Sequence, residues 1–266
     1  MHSYQHQHFY AHQIPALNDN YIYLVEAKHA DTLVVIDPAD ASVVNQACAE
    51  LGKPLTHILN THHHWDHTDG NKALKQRWSC TIIGAAHDAK RIPEIDIGVT
   101  ENTHEQLERL IQGLNIRVLE VNGHTLGHVA YLMDDALFCG DTLFGAGCGR
   151  LFEGTAEQMW HSLQKIASLP DATQVYCAHE YTLPNLRFAG DVDKNNQTLQ
   201  ERIHRDTQTR IKKLPTIPST IGLEKSTNPF LRPLSSSFLH NYAKEQHIKE
   251  DALLVFTHLR ESKDRW

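Results

Sequence analysis

Between Thr61 and His67 the chain reads Thr-His-His-His-Trp-Asp-His, placing His62, His64, Asp66 and His67 within six positions directly after the apolar run Leu55–Leu59. Thr68, Asp69, Gly70 and a further helical pattern follow, so the segment is a strand-to-helix loop crowded with nitrogen and oxygen donors. Neutral imidazole and carboxylate suit Zn, Fe or Mn, and the absence of thiolates argues against a structural cysteine-type zinc site. Adjacent side chains point in different directions, so one such loop can serve two metal ions. A lone histidine would read as a solvated polar residue; here the case rests on position. His124 follows Ile116–Val121, Asp141 follows Ala136–Cys139 and His179 follows Thr173–Cys177, each short enough to be a strand. Ligands in helix-covered sheets gather just beyond strand ends, so four such endings can converge on one edge. The chemistry this permits is hydrolysis by a metal-bound hydroxide, because a bound divalent ion lowers the pKa of water towards ~7.

The elements that must carry these residues are legible in outline. From Tyr21 to Thr182 short apolar runs alternate with longer helical patterns, as expected of helices covering a buried sheet, so the class is α/β. Tyr21–Val25 and Thr32–Ile36 read as neighbouring strands, and Asp37-Pro38 ends the second because proline cannot continue a ladder. Ala41–Leu51 reads as a helix with Val43, Val44, Ala47 and Leu51 on one face and a stop at Gly52. Leu55–Leu59, Cys80–Ile83 and Val129–Met133 are further strands, beside the three runs already named. Thr155 to Gln158 resembles a capping box opening a helix to about Leu169. After Tyr181 the sequence turns polar, basic and helical, with helices over Asn195–Leu214 and Ser236–Gln246. Pro215, Pro218, Pro229 and Pro233 break the stretch between them into loop.

Composition narrows the class of function. The 266 residues suffice for one large domain or a large domain with an appendage. With 41% hydrophobic and 21% charged residues the chain is an ordinary globular protein, and no apolar run approaches the ~18 residues of a membrane span. A net charge of -7 argues against nucleic acid or an anionic membrane as partner. Met1 to Gln13 lacks the basic start and apolar stretch of a secretory signal, which makes the cytoplasm the expected location. Cys48, Cys80, Cys139, Cys148 and Cys177 form no CxxC pair and suit reduced thiols.

The series THHHWDH, GHTLGH, FCGDTLF and YCAHEYT resembles the motifs of the metallo-β-lactamase superfamily, and nearly the whole chain is similar to its glyoxalase II branch, the hydroxyacylglutathione hydrolases. That resemblance implies an αββα sandwich over residues 1–179, with a binuclear site at one end of its sheets. It further implies a smaller helical domain over residues 180–266 that binds glutathione. It assigns His62, His64 and His124 to one metal, and Asp66, His67 and His179 to the other. Asp141 bridges the pair with a hydroxide, a role suited to a group with two oxygens, and Asp66 and Asp141 form the catalytic carboxylates. The expected cofactors are two divalent ions, zinc first, with iron or manganese possible. His63 and His128 are expected to pack or support rather than ligate.

For the substrate, Gly145–Gly154 lacks the Lys-Ser/Thr of a phosphate loop. It resembles instead the segment that sets a basic residue, here Arg150, against the glycine carboxylate of glutathione. Arg260 and Lys263 match the Arg-x-x-Lys motif completing that site, three apart on one helical face. Tyr181 matches a glutathione-binding tyrosine. Phe152 stands where the family often has tyrosine, Asp69 where glycine commonly follows the metal loop, and Asn122 where proline precedes Gly123. The implied activity is thioester hydrolysis of S-D-lactoylglutathione, second step of methylglyoxal detoxification, by a monomer acting on a small molecule. The rivals are a lactone, β-lactam or other thioester hydrolase on the same metals, a mono-iron persulfide dioxygenase, and a metal-binding protein without catalysis.

Overall fold

The chain opens in antiparallel strands. In the computed structural model, which describes residues 1–266, β1 (His2–Gln5), β2 (Phe9–Ala16), β3 (Asn20–Ala27) and β4 (Leu33–Ile36) form successive antiparallel pairs. The sheet continues in parallel through β5 (His57–Asn60), β6 (Thr81–Ala85) and β7 (Ile97–Val99). Parallel neighbours need crossovers, supplied by α1 (Ala41–Leu51) and then by α2 (Trp65–Thr68) with α3 (Asn71–Trp78). Asp40 caps α1 by accepting the Ser42 N–H, and Gly52 ends it at φ 66°. Val35, Ile58 and Ile82 of the sheet pack with Val44 and Cys48 of α1 and Leu74 of α3 in one apolar core. After α4 (His104–Leu110) comes a meander of β8 (Ile116–Glu120), β9 (Val129–Met133) and β10 (Ala136–Gly140). Tyr131 joins it to the larger sheet by donating its hydroxyl to the Asn60 carbonyl at 2.8 Å.

The chain divides into two compact units: Met1–Glu120 with Gly127–Gly140, and Val121–Leu126 with Asp141–Trp266. The His-rich start belongs to the first unit as strand. His6 stacks on Phe9 and bonds Asp135, and His12 bonds Glu26, so these rings are pinned by carboxylates.

The second unit begins with a hairpin of β11 (Leu143–Phe144) and β12 (Gly147–Cys148). Next is α5 (Ala156–Ala167), opened by the expected capping box: Thr155 and Gln158 each take the other's backbone N–H. β13 (Gln174–Cys177), α6 (Thr182–Val192) and α7 (Gln197–Ile211) follow, then β14 (Ser219–Thr220), antiparallel to β13. The unit closes with α8 (Ile221–Thr227), α9 (Ser236–Glu245) and α10 (Ala252–Arg265). The stretch from Pro215 to Pro233 is therefore not the loop that its prolines suggest. They fall outside β14 and α8, and Thr220 caps α8 through the Leu223 N–H. Nor does Pro184 prevent α6, because it occupies the first turn, where proline is tolerated. No helix is long and apolar enough to cross a membrane.

Candidate active site

In the first unit His62 and His64 stand on the loop between β5 and α2, and Asp66 and His67 on α2 itself, a segment fastened at both ends. Asn60 donates to the His67 carbonyl at 3.0 Å and accepts from Asn71 at 2.8 Å. Thr61 donates its N–H and hydroxyl to the two oxygens of Asp37, at 2.8 and 2.7 Å. Asp37 also accepts from Nδ1 of His67 at 3.0 Å. A carboxylate here only accepts, so Nδ1 carries the proton and Nε2 presents its lone pair, as metal ligation requires. Asp66 Oδ2 lies 3.7 Å from that Nε2, and Asn20 steadies Asp66 by donating to its carbonyl. His62 Nε2 and His64 Nδ1 are 3.0 Å apart.

The neighbouring residues support the loop. His63 turns away and bonds the buried Asp88 at 2.9 Å. Burial pushes the Asp88 carboxyl up, but hydrogen bonds from His87, Arg91 and His63 outweigh it and hold it below the ordinary range. His128 is fully buried and stacks on His62. Asp69, at φ -61°, has right-handed helical backbone, so no glycine is needed there.

The second unit carries the other three donors and a cleft. His124 donates Nδ1–H to the Arg150 carbonyl at 2.9 Å, which leaves Nε2 as an acceptor 3.4 Å from Asp141 Oδ2. The other Asp141 oxygen lies 3.4 Å from His179 Nε2. One carboxylate thus has an imidazole beside each oxygen. Tetrahedral ligands ~2.0–2.1 Å from zinc lie ~3.3 Å from one another, so the spacings in both units fit donors of bound metal. Gly123, at φ 147°, makes the turn before His124, where a side chain would strike Met159. Asn122 contributes its carbonyl to Ser162 at 2.6 Å, a bond open to any residue in that place.

A cleft of about 420 Å³ opens on His124 and Asp141 and is lined further by Phe144, Cys148, Phe152 and Tyr181. Arg150, Arg260 and Lys263 also face it. Arg260 is 4% exposed, lies over the Phe230 ring, donates to the Cys148 carbonyl at 3.1 Å and pairs with Asp264 at 3.0 Å. Its Nε has no hydrogen-bond partner in the protein, which leaves a donor for an anion. Burial and the cations of Arg260, Arg187 and Arg150 push the Lys263 ammonium down to about 8. A bound carboxylate would relieve that repulsion. Tyr181 stacks on His179 with ring centroids 4.7 Å apart, and Phe152 is 64% exposed with its ring edge-on to His124.

The structure thus gathers His62, His64, Asp66 and His67 in one unit. In the other it gathers His124, Asp141 and His179 with all five expected substrate contacts, His179 beneath Tyr181. Sequence reasoning missed Asp37, Asp88 and the cleft residue Asn185. Asp37 follows a strand directly, the same signal that singles out Asp141.

Two family models match: "Metallo-beta-lactamase superfamily" over residues 17–179 and "Hydroxyacylglutathione hydrolase C-terminus" over residues 180–266. A hydroxyacylglutathione hydrolase of Rhodospirillum rubrum is 47% identical over 96% of this chain and 98% of its own length. One of Shewanella sp. (strain ANA-3) is 46% identical over 94% and 97%. Among solved structures, ETHE1 from Myxococcus xanthus matches with TM-score 0.67 and 25% identity over 94% of this chain and 89% of that one. A metallo-beta-lactamase from Staphylococcus aureus, at TM-score 0.65 and 21% identity over 97% and 72%, shares the fold. The expected α/β fold with a helical C-terminal part is borne out.

Proposed function

The chain belongs to the hydroxyacylglutathione hydrolases of the metallo-beta-lactamase superfamily, and from that membership we propose that it hydrolyses S-D-lactoylglutathione to D-lactate and glutathione. The observation that carries this reading is the cleft in which the donors His124 and Asp141 share one space with Arg150, Arg260 and Lys263. A thioester with a carboxylate at its far end needs both.

His62, His64 and His124 would hold one divalent ion and Asp66, His67 and His179 a second, with Asp141 between them. Zinc is the first choice, and the same nitrogen and oxygen set accepts iron or manganese. When bound, such a pair ionises water at neutral pH and polarises a carbonyl. The chain's own residues do the rest. Asp37 keeps the proton on His67 Nδ1, and the Arg150 carbonyl keeps that of His124, so both rings present lone pairs. Arg150, Arg260 and Lys263 hold the substrate carboxylate, guanidinium binding through paired hydrogen bonds. Tyr181 is a further contact for the glutathione portion in the cleft, and Phe152 offers an apolar face where a hydroxyl would bond. A leaving thiol with a pKa near ~8.5 departs as thiolate, so no separate general acid is needed. In this reading residues 1–179 supply the metal donors together with Arg150 and Phe152, and residues 180–266 the remaining substrate contacts, in a cytoplasmic monomer.

The test is steady-state turnover of S-D-lactoylglutathione beside a lactone, a β-lactam and a persulfide, with elemental analysis of the same sample. Preference for the glutathione thioester with two metals per chain is expected. Turnover of the others with the thioester untouched would sink the assignment.

A further inference from the structure

The β11–β12 hairpin has two residues on each side, too few to hold itself, yet it forms a wall of the cleft through Phe144 and Cys148. Its turn is strained as well, with Ala146 at φ 54°. Buried backbone groups at such a tip must find partners. Each comes from a side chain of the helical region. Ala146 donates its N–H to Glu224 Oε2 at 2.8 Å, and Gly145 takes a hydrogen from Asn185 at 3.1 Å. Asn228 donates to the carbonyls of Phe144 and Gly147, at 3.3 and 2.9 Å, and to Glu224 Oε2 at 3.0 Å.

Glu224 is itself held. It is fully buried, and its Oε1 accepts from Ser219 and pairs with Arg202 at 2.7 Å. Arg202, 1% exposed, also bonds Thr227 at 2.6 Å and Asp206 at 3.2 Å. A buried ion pair is a poor source of stability, because desolvation offsets its attraction, so its place here calls for another account. The hairpin provides one. β12 runs through Gly149 into Arg150, and the Cys148 carbonyl accepts from Arg260 at 3.1 Å. The hairpin therefore sets both guanidiniums. At the hairpin's base the Thr142 carbonyl accepts the Gly149 N–H at 3.2 Å, and the Thr142 hydroxyl bonds the Val121 carbonyl at 3.4 Å, so Asp141 keeps a tie that does not pass through Glu224.

We propose that Glu224, anchored by Arg202, is a positioning residue for the carboxylate end of the cleft: by fixing the Ala146 N–H it sets the hairpin and through it the places of Arg150 and Arg260. The proposal rests on the thioesterase reading and makes binding of the substrate's carboxylate, rather than bond cleavage, depend on a group that never touches substrate. In Glu224→Gln the amide cannot accept from both Ala146 and Arg202, and one of these buried donors loses its partner.

The experiment compares Glu224→Gln with wild type on S-D-lactoylglutathione and on the lactoyl thioester of N-acetylcysteamine, which has no carboxylate. It adds calorimetric binding of a non-hydrolysable S-alkyl glutathione thioether, and metal content. A rise of about tenfold in KM and in thioether Kd is expected, with kcat within about 2- to 3-fold of wild type. Metal content and turnover of the truncated thioester should fall by no more than about 2-fold, the Arg150 carbonyl being the link from the hairpin to His124. Equal losses on the two thioesters, or an unaltered KM, would overturn the role. Should the variant not fold, Thr227→Val, which removes one bond to Arg202, must show the same pattern at about 2- to 3-fold, and no shift there overturns it equally. Wild type that neither cleaves nor binds the glutathione compounds overturns the functional reading and this proposal with it. Wild type that works beside an unchanged variant overturns this proposal alone.

Discussion

The donor loop of the first unit and the cleft of the second solve opposite problems. His62 to His67 span a short loop and the turn of α2, and their partners Asp37, Asn60 and Asp88 are buried and hydrogen-bonded, so the donors are held before any ligand arrives. In the second unit His124, Asp141 and His179 come from three loops, and beside them stand cations that repel one another, with Lys263 pushed down to about 8. On the proposed reading the first region offers metal donors alone, whereas the second sets three more donors beside cations suited to an anion. The lesson is that metal affinity and substrate affinity should respond to different residues.

On the proposed reading Asp141 serves both metal and cleft, and its replacement should give the largest effect. Asp141→Asn keeps the shape and removes the charge, so turnover should fall by about 100-fold or more, beyond the loss typical of residues that only support ligands. A storage protein would lose little, and retained turnover would break the comparison at its root. Asp37→Asn should weaken metal binding by about 10- to 100-fold in chelator competition, with KM of the metal-loaded enzyme unchanged. A KM shift instead would show that the two regions are not separable. Lys263→Met should do the reverse, raising KM by about tenfold with metal content intact. The pH profile sharpens this point: Lys263 is charged below about 8 and neutral above, so wild-type KM should rise as pH passes through 8. In Lys263→Met that rise should vanish. The smallest effect is expected of Phe152→Tyr, which restores a hydroxyl at an exposed rim position and should lower KM by about 2- to 3-fold. A larger gain would move the rim into the binding site proper.

Local physics explains which parts could be read in advance. The donors of the first unit are contiguous, and strand, loop and helix follow one another within a few residues. The Thr155 capping box and the Gly52 stop are equally local, and both are found where expected. Asp37 lies 30 positions from the histidine it orients, and Glu224 lies 78 from the amide it receives. No spacing rule reaches that far. The prolines between 215 and 233 mislead for a related reason: they mark where elements end, while the pairing of β14 with β13 comes from a strand more than forty residues away.

The sequence by itself determined the types of donor, their place after strands, and the periodicity that makes the chain α/β with a helical end, because those depend on neighbours along the backbone. Only the tertiary structure decided which ring nitrogen carries its proton, why the Lys263 ammonium is pushed down to about 8, and what holds a hairpin too short to hold itself. Each of these depends on burial and on partners brought from far along the chain, where the removal of water makes a single hydrogen bond or charge decisive.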